Sequence, residues 1–146
     1  MCGRGKRGWL RKRHGWYVIK VGSGDSEPAS ACSLGLYERF RHPELTIFGL
    51  YPNTMHRLIN DAGEQIRNGH SYEDGQQYGD LLDNYSCAFR LVRREEYSSH
   101  LTYTQWFYMG SDFPALQMVW PDMNSRFPWE VHFEEGYRRD QPALYE

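Results

Sequence analysis

His42-Pro43-Glu44 places an imidazole and a carboxylate two residues apart, with a proline fixing the backbone between them. On a strand such residues share a face, so Glu44 can tune His42 for proton transfer. Farther along, Asp122 and Glu130 flank a bend built of Trp120, Pro121, Phe127, Pro128 and Trp129. That spacing suits a general base and its partner if the bend folds back on itself. These four residues are the catalytic candidates of an enzyme reading, a metal-independent hydrolase or lyase.

The same stretch also supports a reading without turnover. Rigid aromatic and proline surfaces interrupted by a few polar groups are what ligand pockets use for orientation. Ser33, Gln117, Trp120, Asp122, Arg126, Phe127 and Trp129 are therefore the candidate binding residues. The ligand expected is a polar small molecule or a side chain of a protein partner. Ser33 has no nucleophile-elbow glycines around it, which argues against a serine nucleophile. Histidines 42, 56, 70, 100 and 132 lie at no diagnostic metal-ligand spacing, and no phosphate-cradling glycine loop is present, so no metal or cofactor is expected.

Placing these groups requires a scaffold, and 146 residues suffice for one domain. With 16% aromatic residues, eleven of them tyrosine, strands are favoured over a plain helical bundle. Segment 16–21 reads as a strand ended by Gly22-Ser23-Gly24, segments 29–36 and 44–50 as two more, and 37–42 as an exposed hairpin loop. Met55, Leu58, Ile59, Ala62 and Ile66 recur at helical spacing up to Gly69. A surface loop over 68–80, a strand over 84–92, a helix over 93–108 and a strand over 116–120 complete the order β-β-β-α-β-α-β. The expectation is an α+β domain over 14–146 with a mixed, mostly antiparallel sheet and two helices on one face.

Charge divides the chain unevenly. Residues 1–24 hold seven basic residues and no acid, while the remainder holds 10 basic against 19 acidic residues. The 1–13 arm is read as flexible; contact with nucleic acid through it is the minority reading because the body offers no basic face. Cys2, Cys32 and Cys87 are odd in number and widely spaced, which fits reduced thiols rather than a disulfide or zinc framework. No apolar window is long enough for a membrane span and no apolar core follows the basic start, so a cytoplasmic protein is expected.

Three clusters carry a resemblance: Ala31 to Leu36, then His42-Pro43-Glu44-Leu45 through Phe48-Gly49-Leu50, then Gln117 to Asp122 with Arg126-Phe127-Pro128-Trp129-Glu130. In order and distance they resemble the bacterial and phage family called domain of unknown function 4262, over roughly 15–144. Cys32 stands where the family pattern has tyrosine, and Asn124-Ser125 replaces a glycine before Arg126. The order Gly-Leu then Glu-Leu is also faintly similar to the suppressor-of-fused fold, a group that includes bacterial toxin-immunity proteins. The resemblance implies a setting in toxin immunity or phage defence and implies no reaction.

Overall fold

The computed structural model describes residues 15–24, 27–82 and 84–146, without the side chain of residue 80. The basic arm and Cys2 lie outside the described residues. Among the described residues six strands form one sheet: β1 (Tyr17–Val21), β2 (Ser30–Leu34), β3 (Glu44–Phe48), β4 (Gln77–Leu82), β5 (Tyr85–Leu91) and β6 (Ala115–Val119), in the spatial order β1-β2-β3-β6-β5-β4. Every neighbouring pair is antiparallel except β3 with β6, which run parallel with Glu44 opposite Ala115 and Thr46 opposite Gln117. The molecule is thus two three-stranded meanders joined along one central parallel seam. β3 and β6 are buried along their whole length, as strands covered on both faces must be.

One face is covered by helix α2 (Pro52–Arg67). Pro52 at its first turn has a preset φ and no N–H to leave orphaned, and Gly69 beyond its end adopts φ +101°. Met55, Leu58, Ile59, Ala62 and Ile66 pack on Ala31, Leu45, Ile47, Cys87, Phe89, Leu116 and Met118. Each large side chain so buried contributes roughly 1.5–3 kcal/mol. Gly63 is obligatory for a steric reason, because a Cβ there would sit 2.5 Å from Cζ2 of Trp16. The indole fills that notch and donates from Nε1 to Asn60 Oδ1 at 2.9 Å.

The alternate side chains of the strands point to the opposite face, and several short segments cover it. Phe107 of α4 (Thr102–Tyr108) packs on Cys32 and Leu34. Tyr97 of α3 (Tyr97–His100), Leu101, Phe113 and the tail residue Leu144 cover Phe48 and Ala115, while Phe127 and Tyr145 cover Ala88 and Val119. The mixed, mostly antiparallel α+β sheet matches expectation, but the second helical region lies across the sheet from α2 rather than beside it. That region is also broken: Leu101 leaves helical geometry at φ −123°, ψ 39°, so its apolar side chain can bury while the chain turns. The sequence stripe read as one helix becomes a 3-10 turn and two short helices.

Two further elements differ from expectation. The segment read as a hairpin loop contains helix α1 (Leu36–Phe40), and the segment read as a surface loop ends in strand β4. β4 contains Gly79 and Asp80 and is irregular between Tyr78 and Leu82. A bulged edge strand tolerates such residues, but they hide it from a propensity reading.

Candidate functional site

Helix α1 exists because of a residue that follows it. The Glu44 carboxylate accepts from the backbone N–H groups of Gly35 (2.9 Å), Leu36 (3.2 Å) and Tyr37 (3.2 Å), which start the helix. It also accepts from Ser33 Oγ at 2.6 Å and from the Tyr108 hydroxyl. Each hydroxyl in turn accepts a backbone N–H, Leu45 to Ser33 and Glu38 to Tyr108, so its own proton is directed at Glu44. Five donors converge on one buried side chain, which makes the ionised carboxylate the form that satisfies them all. Burial is the largest influence and leaves the Glu44 pKa above its ordinary value, although the hydrogen bonds from Ser33, Tyr108, Gly35 and Tyr37 pull it down. Burial beside this anion likewise raises the Tyr108 phenol.

His42 does not touch that carboxylate. Its Nε2 accepts the backbone N–H of Tyr72 at 2.9 Å, which requires Nε2 to be unprotonated, and Nδ1 then donates to the Pro43 carbonyl at 2.9 Å. Both ring nitrogens are engaged. Burial is the largest influence and holds its pKa below the ordinary value of 6.5. Cys32, buried beneath Thr104, has its thiol pushed up to about 12 by burial, the behaviour of a packed hydrophobe rather than a nucleophile.

Sequence reading expected the His42-Pro43-Glu44 corner and the tryptophan bend to share a hollow. The parallel register separates them. Glu44 pairs with Ala115, and Trp120 lies five residues farther along the chain, roughly 16 Å away at about 3.3 Å per residue. The two regions occupy opposite ends of the seam between β3 and β6.

Within the bend, most of the candidate polar groups hold backbone. Asp122 Oδ1 accepts from Asn124 N–H and Arg126 N–H, both at 2.9 Å, and Oδ2 accepts from Glu134 N–H at 3.0 Å. Burial opposes the charge, but the N–H groups of Arg126, Glu134 and Asn124 outweigh it and hold the carboxyl below its ordinary range. Glu130 accepts from Phe127 N–H at 2.8 Å, and Arg126 donates to the His132 carbonyl at 3.2 Å. The Phe127 and Trp129 rings stack at 5.1 Å, and the Arg90 guanidinium lies 4.8 Å from Trp129 and 4.6 Å from Tyr145.

Gln117 and Gln141 work as a reciprocal pair of clamps. Gln117 Nε2 donates to the Pro142 carbonyl at 2.7 Å and its Oε1 accepts from Leu144 N–H at 3.0 Å. Gln141 Oε1 accepts from Trp120 N–H at 2.9 Å and its Nε2 donates to the Trp120 carbonyl at 3.0 Å. Trp120 Nε1 donates to the Phe48 carbonyl at 2.7 Å. The C-terminal tail is thereby fixed across the ends of β3 and β6. Gly49, at φ +86°, permits this approach, since a Cβ there would come within 2.2 Å of the Asp140 carbonyl oxygen.

A hollow of about 290 Å³ opens beside that junction, lined by Gly49, Leu50, Leu82, Tyr85, Trp120, Pro121, Asp122, Met123, Tyr137 and Asp140. Its walls are chiefly apolar and aromatic, with Asp140 as an exposed carboxylate at the rim. Gly49, Leu50 and Asp140 also line an adjoining hollow of about 640 Å³ that reaches Ser23, Tyr51 and Thr54. Of the candidate residues, Trp120 and Asp122 line the first hollow, and Trp129 lines a separate one of about 230 Å³. Ser33, Gln117, His42 and Glu44 are buried away from solvent. Among the described residues no three histidine, cysteine, aspartate or glutamate side chains could hold a metal ion, and no helix is long and apolar enough to cross a membrane.

One family model, described as Domain of unknown function (DUF4262), matches residues 11–134. The chain belongs to this family. Its match spans both the Glu44 cage and the tryptophan bend, which is the part of the chain where sequence reading placed every candidate residue. No curated protein and no solved structure gives a match. Tyr137 and Asp140, which wall the 290 Å³ hollow, lie beyond the matched segment. The only sequence signal for them is a tyrosine and an acid in a polar tail, which looks like solvated chain until its backbone is seen against Gly49.

Proposed function

We propose that this chain is a small ligand- or partner-binding protein whose hollow beside Trp120 receives a polar small molecule or a partner's side chain. The observation that carries the reading is the composition of that hollow: a rigid apolar and aromatic floor, held by the Trp120 and Gln141 clamps, with the Asp140 carboxylate at its edge. An occupant with an apolar body and a hydrogen-bond-donating or cationic end complements those walls. Action in the cytoplasm, and a setting in toxin immunity or phage defence, belong to the same proposal; they rest on the reduced buried thiols and on the sequence resemblance.

Binding is favoured over a hydrolase or lyase activity because His42, Glu44, Asp122 and Glu130 all direct polar atoms at neighbouring backbone or hydroxyl groups. Native mass spectrometry of the protein purified from its own host tests the binding reading. The expected result is a retained mass that is lost in Asp140→Asn and Tyr137→Phe, two changes on the half-exposed or exposed wall. A bare chain in every preparation, with no bound species in the wild type, would end the proposal.

A further inference from the structure

On the opposite face of the same rim, the end of β1, Phe48 and the break between α3 and α4 enclose another hollow, of about 570 Å³. Its walls carry Arg139, His100, Ser99, Thr102, Tyr103 and Glu27. Arg139 is exposed and makes no ion pair among the described residues, whereas its neighbour Arg138 is tied to Glu135 at 2.9 Å and lies over Phe133. A cation facing a hollow, with hydroxyl side chains around it, is a site for an anion.

The His100 imidazole lines the same hollow. His100 Nδ1 is buried 3.3 Å from Glu96 Oε1 without making a hydrogen bond to it, and the other oxygen of Glu96 accepts from Arg93 Nη2 at 2.8 Å. The ring stands edge-on to Phe48, with centroids 5.7 Å apart and planes at 84°. A histidine and a guanidinium without an ion pair among the described residues, on the walls of one hollow, form an arrangement that neither Glu44 nor the tryptophan bend supplies.

We propose that this hollow binds a small molecule through an anionic group, a carboxylate or a phosphate ester, paired with Arg139 and hydrogen-bonded by His100 and the adjacent hydroxyls. The volume falls within the roughly 300–1,000 Å³ of small-molecule sites, so the anion is one end of a larger ligand. Glu27 on the same wall favours a hydroxylic or cationic remainder over a second anion. The inference does not depend on the Trp120 hollow.

Titration of the full, isotopically labelled chain with inorganic phosphate, phosphoethanolamine and β-alanine, followed by amide NMR, separates phosphate from carboxylate recognition. The expected result is saturable shifts at Ser99, His100, Thr102 and Arg139 with at least one probe. Arg139→Ala should weaken that binding about tenfold or more, the loss typical of a charged hydrogen bond, with an otherwise superimposable spectrum. His100→Gln should weaken it less. The absence of saturable shifts with all three probes, or binding that survives Arg139→Ala undiminished, overturns the proposal.

Discussion

At the Glu44 end of β3 a carboxylate collects five hydrogen bonds and is 1% exposed, whereas at the Phe48 end, four residues on, Asp140 stands exposed beside open hollows. The first end is where the titratable residues are densest in sequence, and there the polar side-chain atoms of Ser33, His42 and Glu44 are all engaged in hydrogen bonds within the fold. The second end is where three loops and the tail come together without closing the space between them. Titratable density in a sequence therefore marks buried polar networks as readily as it marks sites of chemistry. What separates them is whether donors and acceptors are already matched within the fold.

The sharpest way to break this contrast is Glu44→Gln. Its amide nitrogen would turn N–H groups toward donors, and removing the charge from a buried, fully bonded network costs about 3–5 kcal/mol. Against a total stability of roughly 5–15 kcal/mol for a domain, urea unfolding should show a large fall in midpoint. A loss under about 1 kcal/mol would mean the cage is not what holds α1 to the sheet.

His42 gives a smaller effect with a pH signature. Its folded pKa lies below the ordinary 6.5, so the fold favours the neutral ring. The stability this contributes is present above the unfolded pKa and is lost as pH falls through the folded one. The wild type should lose stability on going from about pH 7 to pH 5, while His42→Gln, weaker by roughly 1–3 kcal/mol at neutral pH, should show less of that decline. Parallel stability curves for the two proteins would remove His42 from the buried network.

At the other end the expected changes are smallest. Trp129 is 43% exposed, and its stack on Phe127 and its contact with Arg90 together amount to about 1 kcal/mol. Trp129→Ala should shift the unfolding midpoint only slightly. A loss beyond about 3 kcal/mol would show that the bend is a core element after all.

Periodicity carried most of the fold. Met55, Leu58, Ile59, Ala62 and Ile66 announced α2, and the apolar runs of β3 and β6 announced central strands. Helix α1 was not legible because its cap comes from Glu44, after the helix in sequence, and capping rules look before it. Strand β4 was hidden by Gly79 and Asp80, and the helical stripe through Leu101 concealed a break that only packing against Phe113 and Leu144 explains. Of the site, Trp120 and Asp122 were found because tryptophan beside proline and aspartate is conspicuous. Asp140, Tyr137, Arg139 and His100 were not, since their importance depends on which distant segment each one meets.

The central seam has a consequence for synthesis on the ribosome. β3 emerges long before β6, and the strands made before it lie on one flank, β2 paired to it and β1 beyond β2. Until residue 119 has left the exit tunnel, the other flank of Glu44–Phe48 offers an unpaired apolar edge to any strand that comes near. The nascent chain is therefore most vulnerable to aggregation late in translation, and slowing of elongation over the stretch before β6 would lengthen that exposure.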